Sequence, residues 1–131
     1  MWLNQQTVDA IRIMAELAVT YPERVRALDL PAPTGITFMN VQKTVHALGV
    51  AGLVETQRGR AGGIRLARAA DTISIGEIVR AFEPTDCPVS FLETSPIESA
   101  VSRLLFQAHR GFFTPLETTT LNQLLPVQSP A

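Results

Sequence analysis

The chain has 131 residues, enough for one domain with a short appended element. Charged residues make up 18% and apolar residues 46%, which excludes a disordered chain. A domain of this size buries roughly two-thirds of its unfolded surface and needs no disulfide or metal to fold. The longest uncharged stretches are broken by Pro, Gly, Gln and Thr, so no membrane span is expected. The first residues lack a basic region followed by an apolar core, so no signal peptide is expected either. A single cysteine, Cys87, forms no internal disulfide and fits a reducing cytoplasm.

The net charge of −1 hides an uneven distribution. Residues 36–68 hold Lys43, Arg58, Arg60, Arg65 and Arg68 against Glu55, a local charge of +4. Residues 71–98 hold one arginine and six acids, a local charge of −5. This is either an electrostatic footprint for a partner or ordinary scatter.

Val8, Ile11, Ala15 and Ala18, widened by Ile13 and Leu17, predict a helix over residues 4–20, capped by Asn4 and ended by Tyr21-Pro22. Val25 to Leu30 reads as a short helix, with Pro31 removing a donor and disturbing it. Thr34-Gly35 is a turn, and Thr37 caps a third helix with Val41, Val45 and Leu48 inward. Asn40, Gln42, Lys43 and His46 fall on its other side, and Gly52 is a plausible end. The period then changes. Leu53–Gln57 and Ile64–Ala67 are short strands around Arg58-Gly59-Arg60-Ala61-Gly62-Gly63, a flexible cationic tip.

Ser74-Ile75-Gly76-Glu77 is a capping box ahead of a helix with Ile75, Ile78, Val79 and Phe82. Residues 83–96, with Pro84, Pro88 and Pro96, read as a loop. Ser95-Pro96-Ile97-Glu98 opens the strongest amphipathic helix, carrying Ile97, Val101, Leu104, Leu105, Ala108 and Phe112. Its stripe is buried either within the monomer or against a second copy. Thr114-Pro115-Leu116-Glu117 repeats the capping device and predicts a separate final helix with Leu121, Leu124 and Leu125. Residues 127–131 read as a tail.

The expected class is mostly α with a small β-hairpin. Residues 1–82 would form a winged helix-turn-helix DNA-binding domain. Residues 83–96 would form a loop, and residues 97–126 a dimerisation helix and a C-terminal helix. A helix about 10–12 Å wide fits the DNA major groove, and a cationic hairpin suits the minor groove beside it. A winged helix that binds protein instead of DNA is the alternative. One cysteine and two histidines without a supporting motif argue against an enzyme.

Several runs then carry a resemblance. They are Thr7-Val8-Asp9-Ala10-Ile11-Arg12, Gly35-Ile36-Thr37, Gly52-Leu53-Val54, Arg58 through Ala67, and Ile73 through Val79. Their order and spacing resemble the Rrf2 family of bacterial transcription regulators over roughly residues 1–125. The resemblance implies a homodimer, joined largely through the long helix, that binds a near-palindromic operator in double-stranded DNA. It implies a regulator, most often a repressor. By position, it implies that Thr37, Asn40, Gln42 and Lys43 line the recognition helix, and that Arg58 and Arg60 form the wing. It also implies dimer contacts through Ile97, Val101, Leu104, Leu105, Ala108 and Phe112.

Many relatives hold an iron–sulfur cluster on three cysteines in the loop before the dimer helix. A cluster takes about four protein ligands. This loop offers Cys87 alone, and the acid that some relatives add as a ligand falls at Val8, with Asp9 one place on. A cluster is therefore disfavoured. Cys87 is either a sensor or a bystander, and the effector is open.

Overall fold

The computed structural model describes residues 3–84 and 95–126. Cys87, most of the 83–96 loop and the 127–131 tail lie outside the described residues. The described chain is mostly helical with one antiparallel hairpin. Its elements are α1 (Gln5–Thr20), α2 (Pro31–Thr34), α3 (Phe38–Val50), β1 (Val54–Gln57), β2 (Gly63–Leu66), α4 (Ile75–Phe82) and α5 (Pro96–Thr118). Three 3-10 turns, Ala27–Asp29, Ala70–Thr72 and Leu121–Leu124, complete the order.

Helix α1 is the centre of the core. Asn4 caps it by accepting from the Thr7 backbone N–H at 2.9 Å. The stripe expected from the sequence centres on Val8, Ile11, Ala15 and Ala18, and the structure corrects this. Ala10, Ile13, Met14 and Leu17 are fully buried, while those four are only half-buried. The reason is tertiary. Helix α1 touches α2, α3, α4, β2 and the Leu121–Leu124 turn, so apolar residues surround most of it and periodicity alone does not pick the inner line.

The second correction concerns the prolines. No helix spans Val25 to Leu30. A 3-10 turn occupies Ala27–Asp29, and α2 begins at Pro31. The first backbone N–H groups of a helix have no partner within it, so Pro31 and Pro33 lose nothing there. The later donors are used: Thr34 N–H reaches Leu30 O at 3.2 Å and Gly35 N–H reaches Pro31 O at 2.9 Å. Gly35 ends α2 at φ 72°, a left-handed conformation that a side chain disfavours, and turns the chain into α3.

Helix α3 starts at Thr37, whose hydroxyl accepts from the Asn40 N–H at 3.3 Å. It buries Val41, Thr44, Val45 and Leu48. The hairpin pairs Val54 with Leu66, Glu55 with Arg65, Thr56 with Ile64 and Gln57 with Gly63. Val25 forms an isolated antiparallel bridge to Ile64 on the other edge of β2.

A third correction falls at the C-terminal end. Thr114 does not cap a separate helix. Helix α5 runs through Pro115 to Thr118, and among the described residues only a 3-10 turn follows. Pro115 removes one intrahelical donor. Packing outweighs that loss, because Phe113 is buried and Phe112 and Leu116 rest against the core. An ion pair between Arg80 and Glu117 ties the same turns to α4. The Thr114 hydroxyl donates back to Arg110 O at 2.8 Å instead of capping forward. Beyond α5, Ile75 N–H reaches Thr119 O at 2.9 Å and Leu121 N–H reaches Ile73 O at 2.8 Å. The segment that follows α5 is thus clipped to the one that opens α4.

Candidate nucleic-acid interface

The inner line of α3 fixes its outer line. With Val41, Thr44, Val45 and Leu48 buried, the stripe Met39, Gln42, Lys43 and His46 stands outward at helical spacing, and all four are exposed. Thr37, Phe38 and Asn40 surround the N-terminal end of that stripe and are exposed as well. In a helix-turn-helix, the N-terminal residues of this helix reach base edges.

Sequence reasoning singles out Thr37, Asn40, Gln42 and Lys43 and passes over Met39. Met39 is 77% exposed, the second residue of the helix, and touches no core. Its spacing of three from Gln42 and four from Lys43 is the available signal. An apolar side chain there suits the methyl group of thymine, which the major groove presents.

Arg58 and Arg60 lie exposed in the turn between β1 and β2. The hairpin that carries them is braced by the cross-strand pair Arg65–Glu55 at 3.1 Å. It follows directly from α3, and β1 packs against that helix. Leu53 N–H to Leu48 O and Ala67 N–H to Leu53 O, each 3.0 Å, fix the joint. The structure therefore sets two polar projections on one rigid joint, a helix face bearing amides and a lysine, and a turn bearing two arginines.

The six residues of the expected dimer stripe divide. Ile97, Val101, Leu104 and Ala108 form one outward line, with Ile97 76% and Leu104 64% exposed. Leu105 is half-buried, and Phe112 packs on the core. His109 is half-buried and stacks on Phe113 with ring centroids 5.0 Å apart.

The donor set bears on iron. The chain has one cysteine, and it lies outside the described residues. Among the described residues no group of three or more His, Cys, Asp or Glu is placed to hold a metal ion. One thiolate per chain does not fit a cluster that takes about four ligands. Asp9, next to the position where some relatives carry an acid, is buried and accepts from Gln5 Nε2 at 2.9 Å.

Helix, turn, outward-facing helix and arginine-tipped hairpin define a winged helix-turn-helix regulator of transcription. The Rrf2 family, described as "Iron-dependent Transcriptional regulator", matches residues 3–126, and the chain belongs to that family. Solved structures agree. The global cysteine regulator CymR of B. subtilis is 27% identical, with 95% of each chain covered and a TM-score of 0.81. An oxidised CymR of Staphylococcus aureus is 23% identical, with 99% of this chain and 100% of that one covered and a TM-score of 0.77. IscR of T. potens is 21% identical, with 100% of this chain and 93% of that one covered and a TM-score of 0.73. The last two show the fold. The family is one of transcriptional regulators and not of enzymes. Among the described residues no helix is long and apolar enough to cross a membrane.

Proposed function

We propose that this chain is a cytoplasmic, homodimeric repressor that reads a near-palindromic operator in double-stranded DNA. The observation that carries the reading is the outward stripe of α3 beside the arginine wing. Gln42 and Asn40 are amides of the kind that pair bidentately with adenine, and Lys43 suits guanine or phosphate. Arg58 and Arg60 suit the narrow groove and its backbone. Dimerisation follows from the outward line Ile97, Val101, Leu104 and Ala108 on α5, whose natural cover is the same line on a second copy. Two-fold symmetry then sets half-sites about one helical turn apart, roughly 34 Å. Repression needs only occupancy, because a bound dimer excludes other proteins from the same DNA.

The regulator works without an iron–sulfur cluster in this reading. Two copies of Cys87 supply two of the about four ligands a cluster takes. Protein purified without oxygen is then colourless and carries substoichiometric iron and acid-labile sulfide. A strong visible charge-transfer band that disappears in Cys87→Ala would overturn this part.

Selection from random duplexes at physiological salt tests the DNA reading. The expected result is a two-fold symmetric motif. If no motif emerges and Arg58→Ala and Arg60→Ala bind DNA as well as the parent, α3 and the wing instead form a protein-binding surface.

A further inference from the structure

The hairpin has a flank that the recognition elements do not use. Val25 and Ile64 exchange two backbone hydrogen bonds, with Val25 N–H to Ile64 O at 2.8 Å and Ile64 N–H to Val25 O at 2.7 Å. Side chains alternate along a strand. Val25 goes inward with buried Ile64, so Arg24 and Arg26 fall on the outward face, alongside Gly63 and Arg65 of β2. An open cleft of about 690 Å³ lies on this flank, lined among others by Arg24, Arg26, Arg65, Ala61 and Gly62.

Three arginines converge there, and two are already engaged. Arg26 meets Asp29 at 3.8 Å and Arg65 meets Glu55 at 3.1 Å. Glu23 also lines the cleft. The Arg24 Nε is buried and has no hydrogen-bond partner among the described residues. A buried cationic donor without an acceptor is costly, and a guanidinium presents its donors as a planar fork that matches phosphate. Gly63 lets the Arg24–Val25 segment pack this closely against β2. It sits at φ 142°, and a Cβ there would lie 3.1 Å from Arg24 Cβ and 2.9 Å from Val25 O.

We propose that this cleft is a phosphate site with Arg24 as its donor, and that the phosphate is a backbone phosphodiester of DNA running along the flank of the wing. The choice of DNA rests on the operator-binding reading above; the choice of phosphate does not. Continuity supports the DNA source. Ala61 and Gly62 belong both to the cleft and to the turn that carries Arg58 and Arg60. A duplex held by the tip presents its backbone to the flank.

The test combines two probes on the full chain. In the first, the selected duplex is made with single neutral methylphosphonates at successive positions and bound by the parent, Arg24→Gln, Arg24→Lys and Arg58→Ala. One position per half-site should weaken the parent about threefold to tenfold and leave Arg24→Gln unaffected, while Arg58→Ala keeps the sensitivity. Arg24→Gln should also lower the salt slope by about one unit per subunit, and Arg24→Lys should restore part of it. In the second, the arginine Nε–H resonances are followed by NMR as inorganic phosphate is added without DNA, and the Arg24 resonance should shift selectively. A selective shift with no distinguishing methylphosphonate keeps the phosphate site and overturns DNA as its source. A parent that binds no duplex overturns the regulator reading, and the phosphate titration then decides the site alone. No selective shift and no distinguishing methylphosphonate overturn the proposal.

Discussion

Helices α3 and α5 each turn one face toward the protein, fully buried along α3 and mostly half-buried along α5, and leave another uncovered, and the chemistry of the uncovered faces differs. The outer line of α3 is Met39, Gln42, Lys43 and His46, polar except at its first member. The outer line of α5 is Ile97, Val101, Leu104 and Ala108, apolar throughout. Apolar surface is driven to leave water, whereas amides and cations gain most from matched hydrogen bonds and phosphate charge. In the proposed reading, the same fold thus offers one helix to a nucleic acid and the other to a second copy of itself. A net charge of −1 is compatible with DNA binding because residues 36–68, which contain α3 and the wing, carry a local surplus of +4.

The largest expected effect lies on α5. Leu104→Asp puts a carboxylate in the centre of the outward line, and its burial in a dimer costs several kcal/mol. Light scattering should report a monomer, with circular dichroism unchanged because Leu104 is not part of the core. A dimer that survives Leu104→Asp breaks the contrast between the two helices.

Next in size is α3. Gln42→Ala removes an amide that gains only against a matching base edge, so it should relax preference at one base pair per half-site, at about 1–3 kcal/mol. Arg58→Ala or Arg60→Ala should instead weaken binding to every sequence and lower the salt slope by about one unit for each phosphate left without its cation. A repeated selection with each variant reads the difference. Loss of specificity in a wing variant, or uniform weakening in Gln42→Ala, would reverse the assigned roles.

Met39 sharpens the contrast, because it places an apolar group on the polar helix. Replacing the contacted thymine with deoxyuridine removes one methyl group. The parent should lose about 0.8 kcal/mol, roughly fourfold in affinity, and Met39→Ala should lose nothing further. Equal losses in parent and variant would show that Met39 does not touch that base.

Much of this arrangement is legible in the sequence because local signals and packing agree. Thr37, Ser74 and Ser95 cap helices in the structure as their spacing implies. The inner line of α3 follows from its period, and the hairpin from the change of period after it. The failures share a cause: tertiary contact overrides a local signal. Pro115 reads as a helix start, yet Phe113 and Leu116 hold one continuous helix against the core. Pro31 reads as a disturbance, yet the first turn of a helix has no use for its missing donor. The stripe of α1 is misplaced because five elements pack around that helix. In the candidate site, polar residues stand out because base recognition is usually argued from hydrogen bonds. Met39 escapes for the same reason. Arg24 carries no signal until Val25 is seen paired with Ile64.

The smallest expected effect lies on α4, which couples the two regions. Arg68, just past the wing, pairs with Glu77, while Arg80 pairs with Glu117 of α5. Glu77 also accepts from the Ser74 backbone N–H at 2.9 Å in the capping box. Partial burial pushes its carboxyl up, but the Ser74 N–H and the Arg68 guanidinium outweigh this and hold it below its ordinary value. A carboxyl whose folded pKa is depressed contributes stability above its unfolded pKa, about 4.3, and loses it as pH falls through the folded value. Glu77→Gln keeps the capping geometry and removes the charge. The parent should therefore exceed Glu77→Gln in stability at neutral pH, by less than about 1 kcal/mol because the pair is largely exposed and screened. Chemical denaturation at a series of pH values should show that gap closing below about pH 4. A gap that stays constant down to about pH 3 would place the effect in the shape of the cap rather than in its charge. The link between wing and α5 would then owe nothing to this ion pair.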